Sequence, residues 1–93
     1  MTTAAPQADE EVLDDIRSRE PAKVILFNDE IHTFDEVITQ IIKAVKCGQA
    51  HAEALTVEVH TKGRACVFGG DLLKCLEVSG VLEEIRLMTH IEM

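Results

Sequence analysis

An apolar run, Val24-Ile25-Leu26-Phe27, ends abruptly in Asn28-Asp29-Glu30, and a single histidine stands ahead of a glycine in Val59-His60-Thr61-Lys62-Gly63-Arg64-Ala65. These residue types suit one kind of ligand. A primary ammonium carries a positive charge and donates in three directions, so a pocket that takes it must supply acceptors on several sides, because an unpaired buried charge is very costly. Asn28 accepts through its amide oxygen, Glu30 accepts and neutralises, and a neutral His60 accepts through one ring nitrogen. Asp29 is a second carboxylate close to the same place. A well-made bond to a charged group contributes roughly 1.5–3 kcal/mol. Neither segment has the glycine spacing of a phosphate loop or the paired ligands of a zinc site, so no metal or cofactor is expected.

The elements that must position these groups follow from patterning. Residues 23–28 are predicted as a strand, buried on both faces because its apolar residues are consecutive. Residues 29–32 form a turn. Thr33 and Glu36 have the spacing of a capping box, and Val37, Ile38, Ile41, Ile42 and Val45 follow as an apolar helical stripe. Gly48 is placed to end that helix in a left-handed conformation. Residues 49–60 admit two readings: Leu55, Val57 and Val59 alternate as in a strand, whereas Ala52, Leu55 and Val59 share one face of a helix. Residues 64–68 are predicted as a strand broken by Gly69-Gly70. Asp71 caps a helix that offers Leu72, Leu73, Leu76, Val81, Leu82 and Ile85 to the core, and residues 87–91 close the fold as a strand.

Size and charge exclude other classes. Ninety-three residues make one domain. A net charge of −8 without Trp or Tyr lacks the basic, stacking face of a nucleic-acid binder and opposes docking on an anionic membrane. No apolar run has the length of a membrane span, and the N-terminus lacks a secretory signal pattern. Three irregularly spaced cysteines, Cys47, Cys66 and Cys75, fit reduced thiols in a cytoplasmic protein. Residues 1–21 carry half of the net charge and few apolar groups, and are expected to be a disordered acidic extension ahead of a core domain over residues 22–93.

The two polar segments together resemble the ATP-dependent Clp protease adaptor protein ClpS family. Phe27-Asn28-Asp29-Glu30 is similar to that family's "VNDD" strand end, and Val59-His60-Thr61-Lys62-Gly63-Arg64-Ala65 to its "VH-x-x-G-x-A". The resemblance covers roughly residues 22–92. It implies a helix reaching His60, and hence an α+β fold: a small β-α-α-β-α-β sandwich whose three-stranded antiparallel sheet has helices packed on one face. It implies a non-catalytic adaptor that binds N-terminal segments of substrate proteins, through a free α-amine and a bulky apolar first side chain, and delivers them to the N-terminal domain of a Clp AAA+ unfoldase.

Amine recognition would fall to Asn28, Glu30 and His60, with Asp29 as fallback because Glu30 stands where the family usually has Asp. The side chain would enter a pocket lined by Phe34, Val37, Thr56, Val59 and Ile85 or Leu87. Phe34 occupies a position where the family commonly has Met, and a rigid ring selects cargo differently from a flexible thioether. For protease docking, Asp71 and Lys74 are the weak counterparts of the family's acidic-x-x-lysine pattern. Three other readings compete. One is an enzyme using His60, Glu30 and Cys66. Another is a metal module using Cys47 and His51. The last is a small protein-interaction domain resembling a ribosomal stalk protein C-terminal domain.

Overall fold

The computed structural model describes residues 19–93. The expectation for the acidic extension lies, for residues 1–18, outside the described residues. The folded unit begins slightly earlier than residue 22: Pro21 opens the first strand, and the Glu20 carbonyl accepts from the Leu72 N–H at 2.8 Å. In order, the elements are β1 (Pro21–Phe27), α1 (Phe34–Val45), α2 (Gln49–Lys62), β2 (Arg64–Asp71), α3 (Leu72–Glu83) and β3 (Thr89–Glu92). The fold is α+β.

Strand β1 is the middle of the sheet, antiparallel to β2 on one side and β3 on the other. Its alternate residues Ala22, Val24 and Leu26 join Ala65 and Val67 of β2 under the helices. Ile25 points the other way and is also buried, between its strand neighbours Cys66 and His90, which accounts for the unbroken apolar run. Pairing of β1 with β2 slips between Val24 and Ile25, where β2 carries an extra residue. Such a bulge bends a strand and increases its twist. Strand β2 also continues through Gly69-Gly70 instead of breaking there. A Cβ at Gly70 would stand 3.1 Å from the Phe68 ring, so the glycine makes room for that ring.

Helix α1 starts as its sequence dictates. Thr33 Oγ1 accepts from the Glu36 N–H, and the Glu36 carboxylate accepts from the Thr33 N–H, which closes the capping box. It ends before Gly48: Lys46, at φ 62°, takes the left-handed position, and Gly48 becomes the N-cap of α2. The ambiguous stretch is helical, with Ala52, Leu55, Thr56 and Val59 inward and Val57 exposed. Asp71 caps α3 by accepting from the Lys74 N–H at 2.9 Å. The inward face of α3 differs from expectation: Cys75, Val78, Ser79 and Leu82 are buried, whereas Leu73 and Leu76 are exposed.

Candidate functional site

The two polar segments meet. The Asn28 N–H donates to the Gly63 carbonyl at 2.9 Å, and the Gly63 N–H donates to the Val59 carbonyl at the same distance. Gly63 closes α2 at φ 87°, a left-handed backbone that strongly favours glycine. Thus the end of β1, the turn after it and the last turn of α2 surround one cavity of about 360 Å³. That is small for a ligand pocket, enough for one large side chain and the group it hangs from.

Its polar side holds Asn28, Asp29, Glu30 and His60, and its apolar side holds Leu26, Phe34, Val37, Val59 and Leu87. Thr56 also lines it, but the Thr56 hydroxyl donates to the Ala52 carbonyl at 2.8 Å, leaving the cavity little beyond a methyl group. Ile85, the alternative to Leu87 as a wall, lines a separate depression with Asp35, Glu36, Thr39 and Gln40. Leu87 takes the wall position because it is the buried residue leading into β3. The Phe34 ring, 44% exposed, meets His60 edge to face with centroids 5.2 Å apart and planes at 73°. That pairing fixes the imidazole at the mouth of the cavity.

The two carboxylates play different parts. Asp29 is spent on the loop: Oδ1 accepts from the Ile31 and His32 N–H groups at 3.0 and 2.9 Å, and Oδ2 accepts from His32 Nδ1 at 2.7 Å. Burial alone would raise the Asp29 carboxyl, but these bonds hold it below its ordinary value. The fallback acceptor thus lines the cavity with both of its oxygens already engaged by the loop. Glu30 is exposed and forms no hydrogen bond or ion pair among the described residues, so its carboxylate is the one free to meet a ligand.

Sequence reasoning overlooked His32. It lines the cavity, and its Nε2 donates to the Ile85 carbonyl while Nδ1 faces Asp29. Both ring nitrogens face acceptors, which requires a doubly protonated ring. The Asp29 side chain, then the Ile85 carbonyl, raise its pKa against the opposing effect of burial. Asp29 lies three residues away and was legible as a partner, but Ile85 was not.

The competing chemistries find little geometry. Cys66 does not line the cavity; it is exposed on β2 and donates to the Phe68 carbonyl. Cys47 precedes the N-cap of α2, off the helix that carries His51. Among the described residues no three His, Cys, Asp or Glu side chains are grouped to hold a metal ion, and no helix is long and apolar enough to cross a membrane. Asp71, assigned to docking, has its carboxylate engaged as the cap of α3, while Lys74 is exposed.

With a β-α-α-β-α-β sandwich and this cavity in hand, the class is clear: residues 17–86 match the ATP-dependent Clp protease adaptor protein ClpS family, and the chain belongs to it. The fold agrees with the structure of Agrobacterium tumefaciens ClpS2 bound to L-phenylalaninamide, at a TM-score of 0.74 and 16% identity, covering 80% of this chain and 96% of that one. In sequence the chain is similar to a segment of the E3 ubiquitin-protein ligase UBR2 of Homo sapiens, 40% identical over 58 residues, which is 62% of this chain and 3% of that protein. It is also similar to UBR1 of Drosophila melanogaster, 42% identical over 64 residues, or 69% of this chain and 4% of that protein. The chain thus spans only a small fraction of these relatives.

Proposed function

We propose that this protein is a non-catalytic cytoplasmic adaptor that captures the N-terminal residue of other proteins and passes them to a Clp AAA+ protease through the unfoldase's N-terminal domain. The observation that carries the reading is the division of the cavity into a mouth of acceptors, Asn28, Glu30 and His60, and a floor of aliphatic side chains. A free N-terminus has the complementary shape: an ammonium beside an apolar side chain. The ligand of the Agrobacterium structure, L-phenylalaninamide, has that chemistry, a free amine next to a benzyl group. Similarity to segments of two ubiquitin ligases supports recognition of substrates marked for destruction, rather than the choice of degradation machine.

The energies suit a carrier. Burying a Leu or Phe side chain contributes roughly 1.5–3 kcal/mol, and each bond to the ammonium a similar amount. After association costs, affinity falls in roughly the micromolar range, tight enough to hold cargo and weak enough to release it. The test is a fluorescence anisotropy titration with decapeptides that differ only at position one, each with a free and an acetylated amine. Leu- and Phe-initiated peptides should bind and Asp- or Gly-initiated ones should not. Acetylation should abolish binding, since it removes the charge and two donors and adds bulk. Equal binding of acetylated and free peptides would end this reading and favour a plain interaction domain.

A further inference from the structure

Strand β2 lies at the rim of the sheet: β1 pairs with one of its sides, and among the described residues no strand covers the other. The hydrogen bonds of β1 decide which β2 residues face outward. The Phe27 N–H donates toward β3, to the Met88 carbonyl, and the Asn28 N–H donates toward β2, to the Gly63 carbonyl. Backbone direction alternates along a strand, so Leu26, Val24 and Ala22 also bond toward β2, where they face Ala65, Phe68 and Gly70. The backbone groups of Arg64, Cys66, Gly69 and Asp71 are left pointing away from the sheet, and among the described residues no backbone bond reaches them on that side. A long open edge of this kind is a template for another strand.

The irregularity of this edge narrows the choice of partner. The bulge adds a residue, so outward-facing Cys66 and Gly69 stand three apart instead of two. A regular strand cannot meet both. A second copy of β2, turned about a two-fold axis, carries the same spacing. With Val67 opposite the partner's Phe68, Cys66 falls opposite Gly69 and Arg64 opposite Asp71, so every outward group meets an outward group. The faces agree as well: exposed Cys66 and Gly69 meet on the open face, while Val67 and Phe68 meet on the side of the helices. The charges also match. Arg64 is exposed and has no ion pair among the described residues. Asp71 gives one carboxylate oxygen to the Lys74 N–H and keeps the other. Each end of the pairing therefore sets an arginine against an aspartate, in a chain whose net charge of −8 otherwise opposes self-association.

We infer that this chain forms a two-fold homodimer by antiparallel pairing of its β2 strands, Arg64 against Asp71 and Cys66 against Gly69. The two sheets become one of six strands, with both sets of helices on the same face. The dimer does not depend on the amine-binding reading, since none of these four residues lines that cavity, and it carries two such cavities. One strand pair of eight residues buries less than the roughly 1,200–2,000 Å² of a standard interface, so association is weak and concentration-dependent.

Amide hydrogen exchange of the full chain, under reducing conditions and over a range of concentrations, tests the inference alongside sedimentation equilibrium. As the dimer fills, the outward amides of Arg64, Cys66, Gly69 and Asp71 should exchange more slowly, while those of the other rim strand, β3, should not change. Arg64→Asp sets two like-charged pairs in the interface and should weaken dimerisation about tenfold. Gly69→Cys supplies a covalent check of register. The added Cβ meets only the Ala22 carbonyl oxygen, at 3.9 Å, so the substitution fits the strand. Opposed residues stand about 5.5 Å apart between Cα atoms, within reach of a disulfide. Residues three apart on one strand are separated by about 10 Å and are out of reach. Air oxidation of Gly69→Cys should therefore give a covalent dimer whose peptide map shows the link from position 66 to position 69. A monomer at every concentration, protection that grows on β3 instead of β2, or a dimer unaffected by Arg64→Asp would each overturn the inference.

Discussion

Phe34, from the first turn of α1, and His60, from the last turn of α2, touch edge to face across the cavity mouth at 5.2 Å between ring centroids. One residue therefore does two things: it bounds the space open to a side chain and braces the imidazole that would accept from the amine. Replacing Phe34 by Ala should open room beside the Cβ of a bound residue and shift preference toward Val and Ile. Stability should fall by no more than about 1 kcal/mol, the scale of one exposed aromatic contact. An unchanged ranking of Leu, Phe, Val and Ile peptides in anisotropy titrations would remove Phe34 from cargo choice.

Removal of the acceptors should act on binding and spare the fold. Asn28→Ala, Glu30→Gln and His60→Ala each delete one group at the mouth, and each should weaken a Leu-initiated peptide by roughly 1.5–3 kcal/mol. All three residues are exposed, so melting temperatures should stay near the parent's. Asp29→Asn should behave differently. It loosens the Ile31–His32 turn and should lower stability and affinity together, because its oxygens serve the loop.

The Asp29–His32 pair gives stability a pH dependence of definite sign. His32 is raised above its ordinary value of 6.5, so its contribution is complete below that pH and is lost as pH rises through the raised value. Asp29 is lowered from 3.8, so its contribution is complete above 3.8 and is lost as pH falls through the lowered value. Glu36 adds a further attraction to the imidazolium. Thermal melts without peptide should decline on the alkaline side, and His32→Ala should remove that decline. Parallel curves for parent and variant from about pH 5 to about 9 would exclude the clamp. Peptide affinity has a separate alkaline limit, near the α-amine value of about 7.7–8.0, which His32→Ala should not move.

Gly63→Ala should be costly out of proportion to one methyl group. Nothing lies within 4 Å of the added Cβ, so the strain is in the backbone at φ 87° and not in packing. A loss of about 1–2 kcal/mol is expected, with weaker peptide binding because the Gly63 carbonyl anchors Asn28. Chemical denaturation with unchanged m-value is the appropriate measurement.

Local signals were read well from the sequence, and distant ones were not. Thr33 with Glu36, and Asp71 before α3, are caps whose partners lie three residues away, and both took the expected geometry. Helix α2 escaped periodicity because exposed Val57 alternates with buried Leu55 and Val59, and only the family resemblance made it helical. On α3, Cys75 and Ser79 proved to be core while Leu73 and Leu76 face outward, since hydrophobicity alone does not orient a short helix flanked by leucines. Gly48 drew attention from Lys46, which takes the left-handed cap although it has a Cβ. Asn28, Glu30 and His60 line one cavity with Phe34, Val37, Thr56, Val59 and Leu87, whereas the Ile85 carbonyl that completes the His32 clamp is invisible to any short-range pattern.

Those long-range fastenings determine when the molecule becomes competent. Helices α1 and α3 carry their own side-chain caps and can begin to form locally. The cavity cannot: Asn28 must find Gly63, and His32 must find Ile85, so loop closure precedes any gain from these bonds. On the proposed adaptor reading, a nascent or heat-damaged copy with its helices intact but these contacts unmade would lack a complete site. Such a chain would fall silent instead of seizing the wrong cargo.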